Sequence, residues 1–147
     1  MYEKKIKFTG YDGVEREQSF FFNLNESELL EMQLTITGGF VGHVERIIAA
    51  KDQPTLMKLF KELILKSYGE KDPDGIHFNK IDPVTGRSLA ERFAETEAYS
   101  KLYVELATDD NAASDFVNKV IPEDLAEKLK EQEKQKQEQG NVQLPTA

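Results

Sequence analysis

The sequence predicts an α+β domain that is mostly helical: an N-terminal antiparallel β-hairpin packed on a bundle of about six short helices. Three observations carry that prediction. Up to Leu24 apolar residues alternate with polar ones, the period of a half-buried strand. From Asn25 onward they recur three and four apart, the period of a helix with one buried face. Capping or turn residues stand at the changes of period. One globular domain is expected over about residues 1–130, with the hairpin near 3–24 and the helical body near 26–130.

In the hairpin, Ile6 and Phe8 alternate with Lys5 and Lys7, and Asp12-Gly13 supplies the turn because glycine accepts a positive φ. Val14 to Leu24 reads as the return strand, with Phe20, Phe22 and Leu24 on one face and Phe21 on the other. Three consecutive phenylalanines are costly to leave in water, so either both faces are covered or Phe21 meets a partner. Asn25 with Glu28 has the spacing of a capping box, opening a helix that holds Leu29, Leu30 and Met32. Gly38-Gly39 breaks it. A second helix is expected over about Phe40–Ala50, with Phe40, Val44, Ile47 and Ile48 on one stripe.

Asp52 caps a third helix, with Pro54 in its first turn. Leu56, Leu59, Phe60, Leu63 and Ile64 make it the central one, and Gly69 reads as its stop. The segment from Gly69 to Gly86 reads as a loop with turns at Asp72-Pro73-Asp74-Gly75 and at Asp82 to Gly86. In it, Ile76, Phe78 and Ile81 form a short strand or peg the loop to the core. Ser88 and Glu91 open a short helix around Phe93, Thr96 caps one with Tyr99, Leu102, Tyr103 and Leu106, and Thr108 caps one with Ala112, Ala113, Phe116, Val117 and Val120. Pro122 begins a last helix with Leu125 and Leu129. Residues 131–147 form a polar low-complexity tail, either disordered or a fraying helix end.

At 147 residues and a net charge of −8, the chain lacks the clustered lysine and arginine that a nucleic-acid binder needs. There is no cysteine, which excludes disulfides and thiolate metal sites and is compatible with a reducing cytosol. No apolar run approaches the length of a membrane span, and the charged N-terminus leads into a strand rather than a signal peptide. No cofactor or metal is expected. His43 and His77 lie far apart, and a calcium-loop alignment of Glu70, Asp72, Asp74 and Gly75 fails where Ile81 replaces the bidentate carboxylate. Nor is an enzyme expected: there is no cysteine nucleophile and no Gly-x-Ser-x-Gly elbow. Tyr99 and Tyr103 stand four apart on one helix, at a core edge or at an interface.

Several stretches also resemble a known family. They are Tyr11-Asp12-Gly13, Ile64 to Lys71 with Asp74-Gly75, Glu97 to Ser100, and Glu105-Leu106-Ala107. Together they resemble the tail assembly chaperones of long, flexible-tailed phages. The resemblance implies binding to the tape-measure protein in the host cytoplasm, help to tail-tube subunits, absence from the finished virion, and in some members a longer frameshifted product. A homo-oligomer is open on this reading. So are two other classes, a structural tail or head-tail component and a small phage protein that binds a host factor. The expected partner contacts are Phe21, Phe40 and Val41 beside the glycine break, and Tyr99 with Tyr103.

Overall fold

Alternation before Asn25 becomes a long two-stranded ribbon in the computed structural model, which describes residues 1–121 apart from the side chains of Val41 and Ile48. Strand β1 (Tyr2–Thr9) pairs antiparallel with β2 (Glu15–Phe22) in the register Tyr2↔Phe22 to Thr9↔Glu15. The turn closes through Gly10 N–H to Val14 O at 2.9 Å, with Gly13 at φ +79° and Arg16 held by both carboxylate oxygens of Asp12. Tyr2, Ile6, Phe20 and Phe22 are buried on the inner face, and Lys4 on that face pairs with Glu105 at 2.7 Å. Glu3, Lys5, Lys7, Glu17 and Phe21 lie on the outer face.

The sheet does not end with the hairpin. Strand β3 (Tyr68–Lys71) pairs with β2, and β4 (Phe78–Asn79) pairs with β3, giving the order β1-β2-β3-β4. The helix before β3 does end at Ser67, with Gly69 two residues on as expected, but the residues that follow form a strand where a loop was expected. That glycine is a strand residue opposite Phe21, and it is needed because a Cβ there would lie 2.4 Å from Phe78 Cε2. Ile76 and Ile81 have exposed side chains, Ile81 making a β-bridge to Ser88, while Phe78 with Asn79 forms the short strand that joins the sheet. Lys80 ties the connection down. Its ammonium donates to Asn23 O at 3.1 Å and Lys66 O at 2.7 Å, and lies 3.4 Å from Glu28.

Among the described residues there are six helices, and most keep the expected caps. Helix α1 (Glu26–Thr35) has both halves of the Asn25–Glu28 box; α2 (Phe40–Ala50) follows Gly38 and Gly39, both at positive φ; α3 (Gln53–Ser67) is capped by Asp52. Helix α4 (Leu89–Ala94) is capped by Ser88 and α5 (Glu97–Thr108) by Thr96. Helix α6 (Asp110–Val120) is capped by Asp109, whose carboxylate accepts from Asn111 N and Ala112 N. Thr108 is therefore not the cap; its hydroxyl donates back to Val104 O inside α5. The expected helix at Pro122, Leu125 and Leu129 and the tail over 131–147 lie outside the described residues.

Helices α5 and α6 pack on β1, α4 packs on β3, and α3 touches α2, α4 and α5. Phe22 is the hub. It is fully buried, with its ring centroid 5.7 Å from Tyr68, 5.7 Å from Phe93 and 5.8 Å from Phe116. Tyr68 stacks on Phe93 at 4.3 Å. Burying aromatic rings of this size contributes much of a small domain's hydrophobic stabilisation.

Candidate partner-binding surface

The expected contact residues do not form one surface. Phe21 is half-buried on the outer sheet face, with the Lys71 ammonium 4.3 Å from its ring centroid. Tyr99 and Tyr103 are half-buried on α5, their centroids 6.0 Å apart, with Tyr99 edge-on to Phe93 at 5.9 Å. Burial pushes the Tyr99 phenol up from its ordinary value, and Tyr103 beside it adds to this. Phe93 meets Phe20 and Phe22 on the inner face, so the sheet separates the tyrosines from Phe21. Phe40 is 1% exposed and part of the core, so in this conformation it anchors α2 and offers no surface. The side chain of Val41 lies outside the described residues.

A different surface gathers apolar atoms in the open. Between the pair α2–α3 and the pair α5–α6 runs a groove of about 670 Å³. Its floor is Ile47, Leu59, Phe60 and Leu106, all buried from their own helices. Val44 and Leu56 form one wall. Ala107, Ala113 and Val117 form the other, and all five wall residues are half-buried. Lys51 and Asp110 stand on the rim. A cleft with aliphatic walls between helices suits the apolar face of an amphipathic helix, which anchors at positions three and four apart. The small side chains of Ala107 and Ala113 let such a helix approach closely.

The sequence carries a trace of this groove. The stripe on α6 runs Ala112, Ala113, Phe116, Val117 and Val120, but only Phe116 and Val120 are buried. Its apolar surface is wider than its core contact needs.

The loop after β3 brings His77 to two carboxylates of the calcium-loop alignment: ligand atoms of Asp72, Asp74 and His77 lie within 4.8 Å of one another. Those atoms hold the turn. Asp72 accepts from Asn79 Nδ2 and Asp74 N, and Asp74 accepts from Ile76 N and His77 N while its second oxygen meets His77 Nδ1.

A family model described as a phage tail assembly chaperone matches residues 1–146. The chain belongs to that family. No curated protein and no solved structure matches it at a significant level. No helix among the described residues of the chaperone is long and apolar enough to cross a membrane.

Proposed function

We propose that this chaperone binds the tape-measure protein of its phage in the host cytoplasm and holds apolar helical segments of it in the α2–α3–α5–α6 groove. It keeps the tape measure soluble until tail-tube subunits enclose it, and it does not remain in the virion. It works without catalysis or cofactor. The observation that carries this reading is the groove. A half-buried aliphatic cleft has an unpaid hydrophobic cost in water of about 25 cal/mol per Å² of apolar surface, and a partner's apolar stripe removes it.

The acidic body suits the task, because a net charge of −8 keeps the loaded complex apart from its neighbours. Apolar contacts also survive moderate salt, which screens exposed charges above all. Phe21 on the outer sheet face and the pair Tyr99 and Tyr103 are placed on other sides of the molecule. We assign them to further partners: tube subunits, a longer frameshifted form of the chain, or a second copy.

Co-expression tests the reading. Tape-measure protein made alone should aggregate, and this chain should keep it in the soluble fraction. Equal solubility with and without the chain would sink the proposal, as would stoichiometric recovery of the chain from purified virions.

A further inference from the structure

The sheet has an open edge at β1. We propose that β1 pairs antiparallel with β1 of a second copy about a two-fold axis at Lys4, so that two four-stranded sheets become one. The pairing uses none of the groove residues and stands apart from the tape-measure reading.

The ladder decides which backbone groups are free. Asn23 N–H donates to Ser67 O at 2.8 Å, in register with Phe21↔Gly69, so the odd-numbered residues of β2 turn their backbone groups to β3. The even-numbered ones turn theirs to β1, because the two sets alternate along a strand. In the register Tyr2↔Phe22 to Thr9↔Glu15 they meet Tyr2, Lys4, Ile6 and Phe8. Glu3, Lys5, Lys7 and Thr9 are left with N–H and C=O groups pointing out of the sheet, and no hydrogen bond among the described residues reaches those groups.

An edge strand is normally blunted by short length, proline, a bulge or charged side chains, lysine above all. Strand β1 has eight residues, no proline and an unbroken register. Its lysines are already answered within the molecule. Lys5 and Lys7 lie 3.0 Å and 3.6 Å from the two carboxylate oxygens of Glu17, and Lys4 lies 2.7 Å from Glu105. These charges are drawn to β2 and α5 and leave the edge open to a partner.

The order of charges selects a second copy and fixes its register. On the outer face β1 reads Glu3, Lys5, Lys7. A two-fold at Lys4 sets Glu3 against Lys5 of the second copy and Lys5 against its Glu3. Each of these pairs exchanges both N–H···O bonds, and opposite charges directly across two strands attract. A two-fold at Lys5 or at Lys7 would set that lysine against itself, and one at Ile6 would set Lys5 against Lys7. At the chosen axis Lys4 meets Lys4 on the inner face, each with its own Glu105 carboxylate at 2.7 Å, so neither brings a bare charge to the seam.

Sedimentation of the full-length chain tests the pairing. Wild type should be a dimer that dissociates on dilution. Glu3→Lys sets lysine against lysine across the seam and should be monomeric. Glu3→Lys with Lys5→Glu restores unlike pairs and should recover the dimer, although it loses the Lys5–Glu17 pair. Circular dichroism checks that each variant is folded. The register is read separately, because the chain has no native cysteine. Lys4→Cys stands on the axis, in a pair whose Cα atoms lie about 4.5 Å apart, and should form a disulfide-linked dimer on mild oxidation. Thr9→Cys, at the far end of the same edge, should not. A wild-type chain that is monomeric at its highest soluble concentration would overturn the proposal. So would a folded Glu3→Lys chain that still pairs, a folded double variant that does not, or Lys4→Cys linking no more readily than Thr9→Cys.

Discussion

Gly69→Ala is the sharpest test of how the sheet is built. At this position a Cβ would stand 2.4 Å from Phe78 Cε2, 2.7 Å from its Cζ and 2.9 Å from Asn79 O. Carbon atoms in contact sit at about 3.5–4.0 Å, so the ring must move by more than an ångström. The ring can swing outward, but Asn79 O belongs to the backbone of β4, and moving it opens the short pairing of Glu70 with Asn79. Overpacking of this kind costs about 1–3 kcal/mol. Urea unfolding measures it, and amide exchange at Lys71 and Phe78 should quicken at the same time. Phe78→Ala removes the larger clash, so Gly69→Ala should cost less in that background, with a coupling on the order of 1 kcal/mol. A Gly69→Ala protein within about 0.5 kcal/mol of wild type, or equal costs in both backgrounds, would refute the close approach.

Other predictions follow from the caps, the anchor and the charges. Asp109→Ala should lower stability by about 1 kcal/mol through loss of the α6 cap, whereas Thr108→Val should change little; thermal unfolding compares them. Lys80→Met leaves the carbonyls of Asn23 and Lys66 without their donor and should cost about 1–3 kcal/mol, read by urea unfolding. The Asp74 carboxyl is held down to about 2 by the His77 and Ile76 backbone N–H groups and by the His77 ring, against an ordinary value of 3.8. Because the folded value is depressed, this contribution is complete above the ordinary value and is lost as pH falls towards 2. An NMR titration of Asp74 should show its midpoint near 2, and a midpoint near 3.8 would contradict the turn geometry.

Much of this fold is legible in the sequence because its signals are local. The Asn25–Glu28 box, the Asp52 cap and the Phe20-Phe22-Leu24 alternation each lie within a few residues, and each is reproduced. Strand β3 was hidden because it continues straight from α3 with no connecting loop. Its four residues are too few to show a period, and Gly69 signals the end of α3 without showing that a strand follows. The α6 cap was misplaced by one residue because threonine and aspartate stand side by side at Thr108-Asp109, and both residue types cap helices.

The partner surface was harder to read. Spacing along one helix shows which residues face inward, but a gap between four helices belongs to their packing. Phe40 illustrates the limit: its place beside the glycine break suggested exposure, and the packing of α2 buries it. Aromatic residues are the stronger interface signal in a sequence, yet the open apolar surface is built from Val44, Leu56, Ala113 and Val117, which read as ordinary core-stripe residues.

The account rests most heavily on the groove as the surface that holds a tail protein. Ala113→Trp puts a large side chain into the groove from a half-buried wall position without removing any core contact. Tape-measure protein should be co-expressed with wild-type chain and with this variant, after circular dichroism and thermal unfolding have shown the variant to be folded. The account predicts soluble tape-measure protein with wild type and aggregated tape-measure protein with the variant. A folded Ala113→Trp chain that protects as well as wild type would contradict it.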